Sequence, residues 1–319
     1  MSDLQAGGKL RPYFELVRPP ALCTAAADSL CAWAWVSQLG SLTLTWLEQA
    51  YIVIILIMIS ACIYAAGMCT NDLFDFEEDQ RERPFRPLPS ARVSLATAWR
   101  LALSLQLLAI VLSILIGYSN GEFSGLPLSF VLATILATYL YNRVFKNTLI
   151  APIFMGLCRF SNFWIGASLL FAFGIDGESL SLCLPLYISM GTMAYVTSLT
   201  ALSRHEVHGG PKASFWGLTM IFCATHPVWW GILGGFTTNI WIVVLVELLV
   251  VGWLFKHILP MIQARGEADM VQRAVGAGIR GVALTHIVLC IGFGSWMIAG
   301  LLLSMSLTAS KVGRWFYAT

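Results

Sequence analysis

Long apolar runs constrain the fold of this chain more than any other feature. Stretches of roughly 20 mainly apolar residues, the length that crosses a ~30 Å hydrocarbon core, follow one another with short connections. Backbone polar groups inside a bilayer must bond within their own segment, and these runs are continuous rather than alternating, so we expect helices and not barrel strands. The predicted spans are residues 19–39, 50–70, 94–117, 126–143, 149–172, 181–202, 214–235, 239–258 and 281–305.

The fold class that follows is an all-α polytopic membrane protein with about nine transmembrane helices. The composition agrees, because 58% of the residues are hydrophobic and only 11% are charged. No linker or soluble segment interrupts the chain, so one transmembrane domain is predicted over residues 1–319. The polar stretch 263–273 is predicted to be a short interfacial helix. We expect the lipid bilayer as its environment, no nucleic acid and no obligate protein partner.

The basic residues predict the orientation of the spans. Lys and Arg fall on alternate connections, whereas the loops near 40–49, 118–125, 173–180 and 236–238 contain neither. By the positive-inside rule the amino terminus is cytoplasmic, and an odd number of spans then places the carboxyl terminus outside, with Lys311 and Arg314. The segment before the first span lacks the features of a signal or transit peptide, so we expect a bacterial inner membrane.

Residues 71–90 are the exception to this apolar composition, with six acids and three arginines. An ionised side chain in the membrane interior costs roughly 2.5 to 3.5 kcal/mol, so such a cluster indicates a ligand. If the second span continues as a helix, Asn71, Asp75 and Asp79 lie on one face and Asp72 lies a quarter-turn away. Oxygen ligands in such a row suit Mg²⁺ shared with phosphate oxygens.

An arginine-proline segment follows directly. Its three prolines, within residues 84–89, are expected to stop the helix and to stiffen an extended segment. Arg81, Arg83 and Arg86 are then placed to close over phosphate oxygens. The alternative is a solvated loop in which these acids and arginines only pair with one another.

At these residues the sequence resembles the UbiA superfamily of intramembrane prenyltransferases. The resemblance is carried by Asn71-Asp72-x-x-Asp75-x-x-x-Asp79 with Arg83-Pro84-x-Arg86-Pro87, by Leu16-Val17-Arg18-Pro19 and by Tyr141-x-x-x-x-Lys146. It implies a ring of nine helices around a central cavity that opens sideways to lipid. It also implies Mg²⁺-assisted ionisation of an isoprenyl diphosphate and capture of the allylic cation by a small cyclic or aromatic acceptor.

The second signature of that family, an Asp-rich cluster after the sixth span, is altered here. Residues 203–210 read Ser-Arg-His-Glu-Val-His-Gly-Gly, in which only Glu206 supplies a carboxylate, with His205 and His208 as possible neutral ligands. The second metal site is therefore either rebuilt or lost, and an interfacial loop is the simpler alternative. This change, together with residues 155–162, is similar to an EboC-like branch of the superfamily.

Charges inside the spans are the remaining signal. Arg159 lies about ten residues into the fifth span and needs an anion, which Asp28, Glu247 or an acceptor carboxylate can provide. Asn162, one turn further, faces the same way and either orients the acceptor or bonds another helix. The predicted catalytic residues are Asp72, Asp75, Asp79, Arg159 and Glu206; the predicted substrate contacts are Arg83, Arg86, Lys146, Tyr141, Asn162, Arg204 and His208; the predicted metal ligands are Asn71, Asp72, Asp75, Asp79 and Glu206.

Two other functions remain open at this point. A terpene cyclase of the same superfamily would capture the cation with a double bond of its own substrate. A transporter or lipid-binding protein would use the charges inside the spans as an ion or substrate path, although the inverted pair of broken helices typical of such proteins is not evident.

Overall fold

The computed structural model describes residues 3–39, 44–119, 122–174, 182–232, 236 and 238–317. This part of the chain is helical, apart from one antiparallel pair of two-residue strands, β1 (Tyr118–Ser119) and β2 (Glu122–Phe123). The predicted all-α class is confirmed. The helices are α1 (Asp3–Val17), α2 (Pro19–Val36), α3 (Trp46–Phe74), α4 (Phe76–Glu82), α5 (Leu95–Gly117), α6 (Leu126–Tyr139) with a π-helical continuation (Leu140–Phe145), α7 (Ala151–Ala167), α8 (Leu169–Ala172), α9 (Cys183–Ser203), α10 (Lys212–Ala224), α11 (His226–Ile232), α12 (Ile240–Gln263), α13 (Ala268–Gly292) and α14 (Trp296–Tyr317).

Six helices within the described ranges are long and apolar enough to cross a membrane, and a shorter apolar helix spans Leu22–Val36. Their side chains are mainly apolar, and their backbone hydrogen bonds lie within each helix. A helix that crosses a bilayer needs both properties. The six are Trp46–Phe74, Leu95–Gly117, Leu126–Phe145, Ala151–Ala172, Ile240–Gln263 and Ala268–Gly292.

The helices form a closed series of neighbours. Each long helix contacts the next along the chain, from α2 through α3, α5, α6, α7, α9, α10, α12 and α13 to α14, and α14 returns to α2. Helix α2 also lies against α7, where a Cβ on Gly166 would come within 2.2 Å of the Ser29 carbonyl oxygen. Glycine at this position therefore allows the two backbones to approach, as small residues do between membrane helices.

One end of the bundle carries most of the charge, and its connections bond to one another. The α9–α10 loop contacts the connection before α7 through Arg204, and it contacts the α12–α13 loop through a Gly210 N–H to Gly266 carbonyl bond of 2.9 Å. Lys146 and Arg18 reach the end of α3 by ion pairs. We call this the charged end. The structure therefore places these basic connections at the same end of the bundle, as the sequence predicts.

The predicted ninth span is wrong in its boundaries. The run 281–305 contains the end of α13, a turn at residues 293–295 with Gly294 at φ 77°, and the start of α14. The predicted interfacial helix is also wrong, because residues 264–267 form the turn before α13 and 268–273 are its first turns. Hydropathy missed the turn because Phe293 is as apolar as the helices on both sides.

This division changes the expected position of the carboxyl terminus. Helix α13 begins at the charged end, and α14, about 33 Å long at 1.5 Å per residue, runs back towards it. We therefore expect Lys311 to return to the side that carries the other basic residues, as the positive-inside rule predicts.

We expect both termini on the same face of the membrane. Carboxyl-terminal fusions of green fluorescent protein and of alkaline phosphatase measure this, because the first is active only in the cytoplasm and the second only outside it. A fusion ending at the turn at Ser295 is the matched control and should give the opposite pattern. An active phosphatase at the carboxyl terminus would contradict the two-helix hairpin.

Candidate functional site

The acidic motif lies where α3 ends at the charged end. Helix α3 stops at Phe74, Asp75 adopts φ −86° and ψ 1°, and α4 begins at the next residue. The i to i−4 hydrogen bonds nevertheless continue through the break, from the N–H of Asp75 to Asn71 at 3.0 Å and from the N–H of Asp79 to Asp75 at 2.8 Å. The structure therefore shows the predicted row of polar side chains along a helical path, with one interruption at Asp75.

Two of the carboxylates are almost fully buried and share one arginine. Asp72 and Asp79 are 4% and 2% exposed. Arg86 Nη1 lies 2.6 Å from Asp79 Oδ2 and 3.6 Å from Asp72 Oδ1, while Arg18 Nη2 donates to Asp72 Oδ1 at 3.0 Å. Arg83 adds a longer contact with Asp79 at 3.7 Å. A buried carboxylate needs such partners, because its desolvation is otherwise uncompensated.

Asp75 has a separate set of partners. Lys146 Nζ forms an ion pair with Asp75 Oδ1, and Asn71 Nδ2 donates to Asp75 Oδ2 at 3.1 Å. Lys146 follows the π-helical segment that contains Tyr141. That segment is held against α3 by Asn142, whose Nδ2 donates to the Gly67 carbonyl and to Thr70 Oγ1, both at 3.2 Å. The structure thus brings the predicted residues of α3 and of the 141–146 motif together.

Two residues of this arrangement were not predicted as site residues. Arg18, at φ 49° before Pro19, bonds Asp72, and its arginine-proline dipeptide was the available signal. Asn142 is 6% exposed and sits beside Tyr141, but nothing in the spacing distinguished it.

The arginine-proline segment is folded into turns. Helix α4 ends at Glu82, before Pro84, so the predicted stop is confirmed. The predicted extended conformation is wrong, because the N–H of Arg86 bonds the Arg83 carbonyl and that of Ser90 bonds the Arg86 carbonyl, each at 3.0 Å. Proline fixes φ near −65°, which turns accept as readily as extended chain. The turns place Arg86 over the acids, whereas Arg81 is exposed.

The altered second motif forms the loop after α9, at the same end. Arg204 Nη2 donates to the carbonyls of Lys146 at 2.9 Å and Thr148 at 2.5 Å. Burial raises the pKa of the Glu206 carboxyl, and the nearby positive charge of Arg83 partly offsets this. His205 Nδ1 bonds the Gly209 carbonyl at 3.2 Å, and His208 is exposed. The predicted roles of Glu206, Arg204 and His208 remain predictions.

The donor set suggests where a magnesium ion fits. Asn71, Asp72, Asp75 and Asp79 supply carboxylate and amide oxygens from one helical path, the ligands that Mg²⁺ prefers. One cationic nitrogen, on Arg86, already contacts both Asp72 and Asp79. Within the described residues no three His, Cys, Asp or Glu side chains converge on a metal position, so binding there requires the arginine to move aside. The second loop offers Glu206 as its single carboxylate, and this donor set does not fit a metal site.

A second polar cluster lies inside the bundle between α2, α3 and α7. Asp28, 0% exposed, accepts from Arg159 Nη1 at 2.9 Å and from Asn162 Nδ2 at 3.1 Å. Ser60 Oγ donates to Asn162 Oδ1 at 2.9 Å. Of the two acids considered as partners for Arg159, the structure selects Asp28. Glu247 is 2% exposed, and neither of its carboxylate oxygens has a hydrogen-bond partner among the described residues.

His286 completes this cluster from α13. Its Nδ1 lies 2.6 Å from the Val282 carbonyl, which can only accept, so Nδ1 carries a proton. The other nitrogen, Nε2, then faces Asp28 Oδ1 at 3.3 Å with a lone pair on each atom. One proton between them turns this contact into a hydrogen bond. Arg159 keeps 13% of its side chain exposed, and within the described part of the chain only its Nη1 has a hydrogen-bond partner.

Comparison with known proteins gives a family and a fold. The sequence model of the UbiA prenyltransferase family matches residues 22–274. Proteins named digeranylgeranylglyceryl phosphate synthase are similar over part of their length. The relative from Ignicoccus hospitalis is 31% identical over 145 residues, 46% of this chain and 42% of the relative, and that from Korarchaeum cryptofilum is 32% identical over 145 residues, 44% of each. The chain thus aligns with less than half of these relatives.

Solved structures of low sequence identity share the fold. A structure described as a digeranylgeranylglyceryl phosphate synthase in membranes matches with a TM-score of 0.61 at 17% identity, over 90% of this chain and 99% of that one. A UbiA homologue from Aeropyrum pernix K1 matches with a TM-score of 0.59 at 15% identity, over 85% and 98%. At these identities the likeness concerns the arrangement of the helices alone.

The buried cluster predicts a specific pattern of stability. Asp28→Leu leaves Arg159 without its carboxylate inside the bundle, which should destabilise the fold by about 3 to 5 kcal/mol. Asp28→Leu combined with Arg159→Met removes both charges and should recover most of that loss. Thermal unfolding in detergent, followed by intrinsic fluorescence, measures both variants.

The matched control is Glu15→Gln, which removes the partly exposed ion pairs with Arg11 and Arg92. Its cost should stay below about 1 kcal/mol. A double variant that melts no higher than Asp28→Leu alone would contradict the assigned pairing.

Proposed function

Because the chain belongs to the UbiA prenyltransferase family, we propose that it is an integral-membrane prenyltransferase. It transfers an isoprenyl group from an allylic diphosphate to a small cyclic or aromatic acceptor and depends on magnesium. The observation that carries the proposal is the cluster of Asp72, Asp75 and Asp79 with basic partners at one end of an apolar bundle. Charged groups that can bind a diphosphate then lie next to an apolar region that can hold its hydrocarbon tail.

The basic side chains of this cluster bind and neutralise the diphosphate. Arg18, Arg86 and Lys146 already lie on the carboxylates, and each keeps between a fifth and a third of its side chain exposed. Guanidinium and ammonium groups bind phosphate oxygens by charge-assisted hydrogen bonds. Asn71, Asp72, Asp75 and Asp79 would hold Mg²⁺, which supplies further positive charge to the leaving group.

The chemical step breaks one bond and forms another. The allylic C–O bond breaks with its electron pair going to the diphosphate, whose added negative charge the basic side chains stabilise. An electron pair of the acceptor then bonds the allylic carbon, and the acceptor loses a proton. Water competes with the acceptor for this cation, so an apolar, water-poor environment favours transfer over hydrolysis.

Arg159 is placed for the acceptor rather than for the diphosphate. Arg18, at the start of α2, marks the level of Asp72, whereas Thr24 and Asp28, six and ten residues further along α2, bind Arg159. At 1.5 Å per residue this places Arg159 roughly 9 to 15 Å deeper. A small acceptor would lie between these levels, with an oxygen atom accepting from the N–H groups of Arg159 that have no partner among the described residues. Asn162 holds the same aspartate and acts indirectly.

The first prediction concerns donor activation. Asp75→Asn and Asp79→Asn should each remove Mg²⁺-dependent release of diphosphate from geranyl diphosphate, because each variant loses a carboxylate of the acidic motif. Release of inorganic diphosphate by purified protein in nanodiscs measures this. Glu78→Gln is the matched control, because Glu78 is an exposed acid of the same helix, and it should behave as wild type. Unchanged turnover in both aspartate variants would contradict the assignment of Asp75 and Asp79 as catalytic residues.

The second prediction separates the acceptor end from the donor end. Asp28→Asn combined with Arg159→Met keeps the bundle free of unpaired charge, so it should still release diphosphate from geranyl diphosphate but lose transfer. Mass spectrometry of lipids from producing cells should show a prenylated species with wild type and not with this variant. Arg280→Met, which removes an exposed arginine of α13 lying over Trp253, is the control.

The same measurement decides between the prenyltransferase and its alternatives. A prenylated species that persists in the Asp28 and Arg159 variant contradicts the acceptor role. A cyclic hydrocarbon formed from the diphosphate alone identifies a terpene cyclase. No diphosphate release by wild type favours a binding or transport protein.

A further inference from the structure

The loop that replaces the second family signature makes an unexpected set of contacts. Arg204 is the first residue after α9, and its hydrogen-bonded nitrogen does not contact the acidic motif. Its Nη2 donates to the carbonyl oxygens of Lys146 and Thr148, in the connection that leads to α7. The Lys146 carbonyl follows the π-helical segment, where carbonyls lack intrahelical donors, so an arginine that supplies a donor fixes the backbone there.

The backbone that Arg204 fixes belongs to a residue of the diphosphate site. Lys146 carries its ammonium group to Asp75 and is 30% exposed on its side chain. A lysine has a long and flexible side chain, so the position of its backbone determines which points its charge can reach. Arg204 thereby sets where the Lys146 charge stands relative to Asp75.

The loop is itself anchored, so these contacts are held in place. Gly209 and Gly210 adopt φ 64° and 127°, and the Gly210 N–H bonds the Gly266 carbonyl at 2.9 Å. A Cβ on Gly209 would lie 2.4 Å from that same carbonyl oxygen. Only glycine permits both the positive φ and the close approach. The α12–α13 turn therefore supports the loop from behind.

We propose that Arg204 is a positioning residue that places Lys146 for the diphosphate, and that this loop contributes no metal ligand. The inference rests on the proposed function, because it assigns to the altered motif a part in binding the same donor. The loop acts through one basic side chain of the first site, whereas a carboxylate cluster would act through a metal ion.

Kinetics with Mg²⁺ and geranyl diphosphate test the Arg204 contact. Arg204→Gln should raise KM for geranyl diphosphate about tenfold, the usual scale for losing an outer-shell partner, with a smaller change in kcat. Arg204→Lys keeps the charge and loses the planar fork, so it should fall between wild type and Arg204→Gln. In a Lys146→Met background Arg204→Gln should add little, since its effect passes through Lys146. Independent, multiplying effects would overturn the proposal.

The second part of the proposal, that the loop contributes no metal ligand, is tested with Glu206→Gln. The half-saturating Mg²⁺ concentration and the number of Mn²⁺ ions bound, counted by electron paramagnetic resonance with geranyl thiodiphosphate present, should not change in this variant. A lost Mn²⁺ ion in Glu206→Gln would make Glu206 a metal ligand and overturn the proposal.

A control variant and a stability measurement distinguish the possible outcomes. Lys212→Gln, at an exposed position just after the loop, is the matched control and should keep wild-type constants. Thermal unfolding in nanodiscs separates a loss of fold from a change in KM. If wild type releases diphosphate while the Arg204 variants match it, the positioning role fails and the proposed function stands. If wild type neither binds nor cleaves geranyl diphosphate, both fail.

Discussion

An ionised group inside an apolar bundle needs an opposite charge, and this requirement organises the charged end of the protein. Asp72 and Asp79 are nearly inaccessible to solvent, and their partners come from α2 and from the turns after α4. Asp75 takes its partner from the connection before α7. Each ion pair therefore joins segments distant in sequence, and the packing of the helix ends and the electrostatics of the site depend on the same bonds.

The same requirement has a second consequence for binding. The carboxylates are paired with basic side chains, so under the proposed function a diphosphate and a metal would enter by exchange of partners. Arg86, which bridges two carboxylates, is the group whose exchange frees both at once. A ligand that carries both positive and negative charge would give each carboxylate and each basic side chain an opposite charge during this exchange. Inside the bundle Asp28 plays the corresponding part for Arg159, and His286 Nε2 lies 3.3 Å from the other oxygen of the same carboxylate.

Several features of the site were predictable because they are local. The spacing of Asn71, Asp75 and Asp79 follows from helical periodicity, and the structure keeps that ladder across the break at Asp75. The stop before Pro84 follows from the missing N–H of proline. The conformation after the stop did not follow, because proline fixes φ while ψ is chosen by hydrogen bonds such as that from Arg86 to Arg83. The hairpin at Gly294 was missed for a similar reason, since its turn is apolar and hydropathy averages across it.

What the sequence by itself determined is the membrane class, the helical content, the acidic motif and the resemblance to a family that comparison then established. These depend on residues close together in the chain, through hydropathy, periodicity and spacing. Only the tertiary structure decided which charges pair. Arg18 meets Asp72 across 54 residues, and Arg159 meets Asp28 rather than Glu247 across 131. The physical reason is that a partner is chosen by which helix faces come into contact, and this depends on the packing of the whole bundle rather than on any one segment.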